Sequence, residues 1–169
     1  MKNIIYALLM LLCLPALLVA QERNTRNSDE EEMFRQSFTT ILEDMDNEFE
    51  NVKGEESIVI NDEKDRFEAK VYLYGMRNFI NESDIICDSI RCRYVADFGP
   101  YFNTEDVENK ETELLSLVKK NLGDNWEMSK LKSGVKFQSV ESPRNDVSLY
   151  RYYGDGSGIF VRVLFVHHH

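Results

Sequence analysis

The chain has 169 residues and a formal net charge of −10, from 30 acidic and 20 basic side chains. That length suits one compact domain, or two half-domains sharing a core. An acidic balance of this size argues against nucleic acid, whose phosphates demand lysine and arginine, and against anionic membrane surfaces; it fits a basic protein partner or plain solubility.

Lys2 and Asn3 form a short positive n-region, and Ile4 to Leu18 is apolar apart from Pro15. Ala20 stands where a signal peptidase would cut, before Gln21. This pattern predicts a signal peptide over residues 1–20, a secreted or periplasmic product, and no membrane insertion after cleavage. The apolar run is short for a retained anchor. Leu12, not a small residue, precedes Cys13, which disfavours lipidation there. Residues 21–27 are polar and read as a disordered leader.

Phe34, Phe38, Ile41, Leu42, Met45 and Phe49 recur at steps of three and four, the stripe of an amphipathic helix beginning at Ser28 and stopped at Gly54. Ser28 with Glu31 matches a capping box. A strand-prone run from Glu55 to Val59 and a polar turn at 61–65 follow. Phe67, Ala69, Val71 and Leu73 alternate with polar residues and with Tyr72 and Tyr74, which predicts a strand with one wet, tyrosine-bearing face. Residues 76–84 are less regular, and Asn81-Glu82-Ser83 matches a glycosylation sequon. Residues 85–98 read as a strand broken by Gly99-Pro100. Asn103 or Thr104 caps a second helix whose stripe is Val107, Leu114, Leu115, Val118 and Leu122, with Gly123 as its stop. Strand signals follow at Trp126–Met128, Val135–Phe137 and Val147–Tyr153. Then come a glycine-rich hairpin loop at 154–158 and an apolar last strand, Ile159 to Val166, that belongs in the sheet's interior.

The pattern is α+β: two helices packed on an antiparallel sheet, in one domain over 28–166 with halves at 28–99 and 103–166. Each half reads as a helix followed by three strands, so a tandem α-β-β-β duplication is a possible reading, set against the ordinary repetition of such units in α+β domains. This order resembles that of small secreted proteins built as tandem helix-plus-sheet repeats, the β-lactamase-inhibitor-protein type among them. With Phe49-Glu50-Asn51-Val52-Lys53-Gly54-Glu55 after the helix and a cysteine pair mid-chain, the chain is also similar to small exported α/β proteins of Gram-negative bacteria. The resemblance implies export and a compact α+β fold, and it carries no active site.

Once Cys13 leaves with the leader, Cys87 and Cys92 are an even pair in an exported chain, which reads as a short-loop disulfide. Four residues separate them, where a redox motif has two. All three histidines stand at 167–169 and read as a tail or tag, so no histidine is expected inside the fold and His-dependent nucleophile or zinc chemistry is not expected. The acidic run at 61–65 lacks the glycine and terminal glutamate of a calcium loop, and 154–158 lacks the lysine of a P-loop. No cofactor or metal is implied. The surface aromatics remain: Tyr72, Tyr74, Tyr150 and Tyr152, with Arg151 beside them, have the composition of a binding face, although packing beneath a helix would use the same residues. The expected function is therefore a non-enzymatic binding protein with another protein as partner. A carboxylate-pair hydrolase is the alternative. An acidic secretion chaperone is disfavoured by the export signal.

Overall fold

A computed structural model describes residues 28–56, 66–75, 77–81, 91–154, 156 and 158–168. The signal peptide, the leader, the 61–65 turn, Cys87 and most of the sequon lie outside the described residues. The first helix, α1, spans residues 28–43. The boundary between two compact units, 1–34 and Arg35–His169, falls within it. The second unit holds the rest of α1, a second helix and the whole sheet.

In α1 the expected stripe is buried at Phe34, Phe38 and Ile41. The helix ends well before Gly54. Met45–Asn47 forms a 3-10 turn, and Glu48 and Phe49 adopt left-handed backbone. The cause is Asp44, buried at the helix end. Its carboxylate accepts the backbone N–H groups of Asn51 and Val52 at 2.8 and 3.1 Å and the side-chain amides of Asn47 and Asn51. These bonds reverse the chain, so Met45 and Phe49 reach the core from a turn rather than from a continuation of α1. Gly54 lies in the first strand.

Eight antiparallel strands follow: β1 (Lys53–Glu56), β2 (Arg66–Ala69), β3 (Arg77–Asn81), β4 (Arg91–Tyr101), then, after α2 (Thr104–Leu122), β5 (Trp126–Leu131), β6 (Gly134–Ser139), β7 (Asn145–Gly154) and β8 (Gly158–His168). Their spatial order is β1-β2-β3-β4-β8-β7-β6-β5. Each helix thus precedes a four-stranded meander, and the two meanders join along the long strands β4 and β8. The three strands per half of the α-β-β-β pattern become four, and in the second half they are the four strand signals already read along the chain. In the first half the addition is β3, from the stretch that looked irregular. β8 is central, as its apolar run requires.

α2 behaves as its sequence predicts. Asn103 caps it, accepting the Asp106 N–H at 2.8 Å, and Val107, Leu114, Val118 and Leu122 are buried. Gly99-Pro100 does not end β4. The peptide is cis, the register shifts, and pairing resumes with Tyr101 opposite Ile159. Proline is tolerated there because β3 stops opposite Asp97, so β4 has no neighbour on that side from which to lose a hydrogen bond.

Register assigns the faces. Cys92, Tyr94, Ala96 and Phe98 align with His167, Phe165, Val163 and Val161, and these with Asn145, Val147, Leu149 and Arg151. Both helices lie on this face: Phe38 meets Phe165 with ring centroids 5.0 Å apart, Phe165 meets Tyr94 edge-on at 5.7 Å, and Glu111 of α2 pairs with Arg151. Among the described residues no helix packs on the far face. β8 also runs through His168, so two of the three terminal histidines belong to the sheet instead of a tail. His167 is buried, 2.8 Å from Asn145 Oδ1.

Candidate functional site

On the far face, Arg77, Asp97, Arg162 and Tyr150 are successive cross-strand partners over β3, β4, β8 and β7. Asp97 is only 2% exposed. Its carboxylate is held two-pronged by Arg162, Nε to Oδ1 at 2.6 Å and a terminal nitrogen to Oδ2 at 2.9 Å, while the Tyr152 hydroxyl donates to Oδ2 at 3.0 Å. A buried carboxylate needs such partners, because its desolvation is otherwise prohibitive. The Arg162 guanidinium lies 4.5 Å from the Tyr152 ring centroid, and Tyr152 stacks on Phe160 at 5.3 Å with a 16° tilt. Phe160, Tyr152 and Arg162 thus form one layered stack, locked by Asp97. Burial alone would lower the Arg162 pKa, but the hydrogen bonds and charge of Asp97, with a contribution from Tyr150, carry it above the ordinary value. The Tyr152 pKa is raised, first by burial and then by the Asp97 charge.

A second polar cluster sits further along the same face. Asp146, nearly fully buried, is 2.9 Å from Lys136 Nζ, 2.6 Å from His168 Nε2 and 3.4 Å from Ser148 Oγ. Serine, histidine and aspartate do meet here, against the expectation that no histidine enters the fold. Both the hydroxyl and the imidazole contact the carboxylate, however, which is not the serine-to-histidine-to-acid relay that nucleophile activation requires. Both buried carboxylates of this face are engaged by cations, and among the described residues no cluster could hold a metal ion.

No protein-family model, curated protein or solved structure matches the chain. The site therefore rests on its own geometry.

That geometry divides the expected binding residues. Tyr150 and Tyr152 share the far face, half-buried. Arg151, between them in sequence, points to the opposite face and pairs with Glu111, and that hydrogen bond chiefly raises its pKa. Tyr72 and Tyr74 are not on a strand. β2 ends at Ala69, and both tyrosines project from the following loop, 57% and 49% exposed. Tyr94 pins that loop from beneath: its hydroxyl lies 2.7 Å from the Val71 carbonyl and 2.8 Å from Asn78 Oδ1, and accepts the Leu73 N–H at 3.3 Å. Cys92 is buried with Sγ 3.1 Å from the Glu48 carbonyl. Its expected partner, Cys87, lies outside the described residues. The Asp97–Arg162 lock was invisible in the sequence because its members are 65 residues apart. The only pointer to it in the sequence is the alternation that keeps Cys92, Tyr94, Ala96 and Phe98 on one face and sets Asp97 on the opposite face.

Proposed function

We propose that this protein is an exported, non-enzymatic binding protein that engages another protein through the far face of its sheet. The observation carrying the reading is the one-sided packing. Both helices lie against one face, and the other presents an aromatic and arginine stack held rigid by a buried carboxylate. Tyrosine and arginine on a preorganised surface are the residues of interaction hot spots, since they offer large contact area at little entropic cost. The acidic chain favours a basic partner and disfavours nucleic acid. The carboxylate-pair alternative is weaker because Asp97 and Asp146 are both engaged by basic side chains. No described helix is long and apolar enough to cross a membrane. The export reading rests on Lys2, the apolar run and Ala20, and the symmetric strand order is in keeping with the resemblance to tandem helix-plus-sheet proteins.

The test is chemical cross-linking in the native envelope, with wild type compared against Tyr150→Ala/Tyr152→Ala. A partner captured by wild type and lost from the double variant, with the variant still folded by circular dichroism, supports the reading. Equal capture by both refutes the sheet face as the binding surface. Intact mass of native material tests export: it should correspond to a chain beginning at Gln21.

A further inference from the structure

The far face continues past Asp97 onto β3 and β2, where Arg66, Phe67, Glu68, Tyr72, Arg77, Asn78 and Phe79 line an open depression of about 240 Å³. It is smaller than the usual pocket for a drug-sized ligand, about 300–1,000 Å³. Register places Arg66, Glu68, Arg77 and Phe79 on one surface: Glu68 stands directly opposite Phe79, so Arg77 is its diagonal neighbour. The floor is a made platform, because the Arg66 guanidinium sits 3.7 Å from the Phe79 ring centroid. Tyr72 forms a wall on a loop held by the Tyr94 hydroxyl.

Arg77 decides the chemistry. Its cross-strand neighbour Asp97 has its carboxylate occupied by Arg162 and Tyr152. Among the described residues Arg77 forms no ion pair, and its side chain is exposed. A guanidinium fork matches a carboxylate two-pronged. Glu68 lies diagonally across, at a backbone spacing of about 7–8 Å, and it would repel a dianion while accepting from a cation. The depression thus offers the guanidinium fork of Arg77, one carboxylate, and an aromatic floor on which a second guanidinium, that of Arg66, is already stacked.

We propose that this depression binds a small zwitterion with an apolar or aromatic body, the chemistry of a free α-amino acid. Arg77 takes the carboxylate, Glu68 the ammonium, and Phe79 with Tyr72 the side chain. The proposal goes beyond the sheet-face reading and does not depend on it, because Tyr150 and Tyr152 lie three strands away from β3.

Titration of 15N-labelled protein with L-phenylalanine tests it. Saturable amide shifts are expected, concentrated at 66–69, 72–74 and 77–79, with the Tyr150 and Tyr152 amides unmoved. Phenylalanine amide, which lacks the carboxylate, and N-acetylphenylalanine, which lacks the ammonium, should each bind at least tenfold more weakly. Arg77→Ala should weaken L-phenylalanine tenfold or more; Arg77→Lys, which keeps the charge without the fork, should fall between. Equal binding of N-acetylphenylalanine would overturn the role of Glu68 and make this a plain carboxylate site. Tighter binding of phenyl phosphate than of L-phenylalanine would overturn the zwitterion assignment. The absence of saturable shifts would overturn the site itself, leaving the cross-linking result untouched.

Discussion

Phe38→Ala is the sharpest test of how this fold is held together. Phe38 is fully buried, tilted 57° against Phe165, which in turn meets Tyr94 edge-on, and Tyr94 lies 6.3 Å from Phe49. One helix residue therefore anchors a chain of four aromatic rings joining α1, the turn after it, β4 and β8. Truncating a buried phenylalanine costs about 3–5 kcal/mol in lost transfer energy and cavity. Part of that sum is the aromatic pair, worth about 0.5–1.5 kcal/mol beyond area alone. For a domain of this size each kcal/mol moves the melting temperature by about 2–4 °C, so Phe38→Ala should lower Tm by about 6–20 °C. The control is Thr40→Ala, one turn away from Gln36 on the exposed side of the helix, where the hydroxyl only returns a bond to the Gln36 carbonyl at 2.9 Å. It should change stability by about 0.5 kcal/mol or less. Thermal unfolding followed by circular dichroism reads both. Indistinguishable midpoints would refute the claim that the α1 stripe is part of the core, and would make the helix a detachable arm.

Further expectations follow from other positions. The Tyr94 pKa is raised above its ordinary value of 10.0 chiefly by burial. Its neutral form is thus the one the fold favours, so the associated stability is complete below about pH 10 and is lost as pH rises toward the folded pKa. Tyr94→Phe should cost about 1–3 kcal/mol at neutral pH by leaving the Val71 carbonyl short of a donor, while the Leu73 N–H keeps Asn78 Oδ1; it should also flatten the decline above pH 10 in an alkaline denaturation series, and parallel curves would contradict this. Gly134→Ala would place a Cβ 2.0 Å from the Leu149 carbonyl and 2.6 Å from Tyr150 Cα. It should loosen the β6–β7 pairing, seen as faster amide exchange at 147–151, and unchanged exchange would show that the strands can separate at no cost. Cys87 and Cys92 should be bonded in exported protein; full thiol labelling of unfolded, unreduced protein would sink that expectation.

What the sequence by itself determined is local in origin. The α2 limits follow from Asn103 and Gly123, which satisfy or release backbone groups within one turn. The hairpin joining β7 to β8 follows from its glycines, with Gly154 opposite Gly158. The central place of β8 follows from an apolar run that an edge position would expose, and the α+β class from the two periodicities, 3.6 and 2, in one chain. Tertiary structure decided what depends on partners distant in sequence. Spacing alone continued α1 through Phe49, because Phe49 keeps the period; Asp44, collecting amides seven and eight residues on, ended it at residue 43. β3 has no strong alternation of its own and exists by pairing with β4. The run Tyr150-Arg151-Tyr152 read as one patch, yet a strand sends alternate side chains to opposite faces, so Arg151 went to Glu111 beneath α2 while both tyrosines joined Arg162 and Asp97. His167 and His168 read as a tail because nothing near them signals structure; β4 and β7 on either side drew them into the sheet. Capping and periodicity act within a few residues and so can be read along the chain. Register and cross-strand ion pairs join segments far apart in sequence, Asp97 and Arg162 by 65 residues, and only the folded sheet brings them within hydrogen-bonding distance.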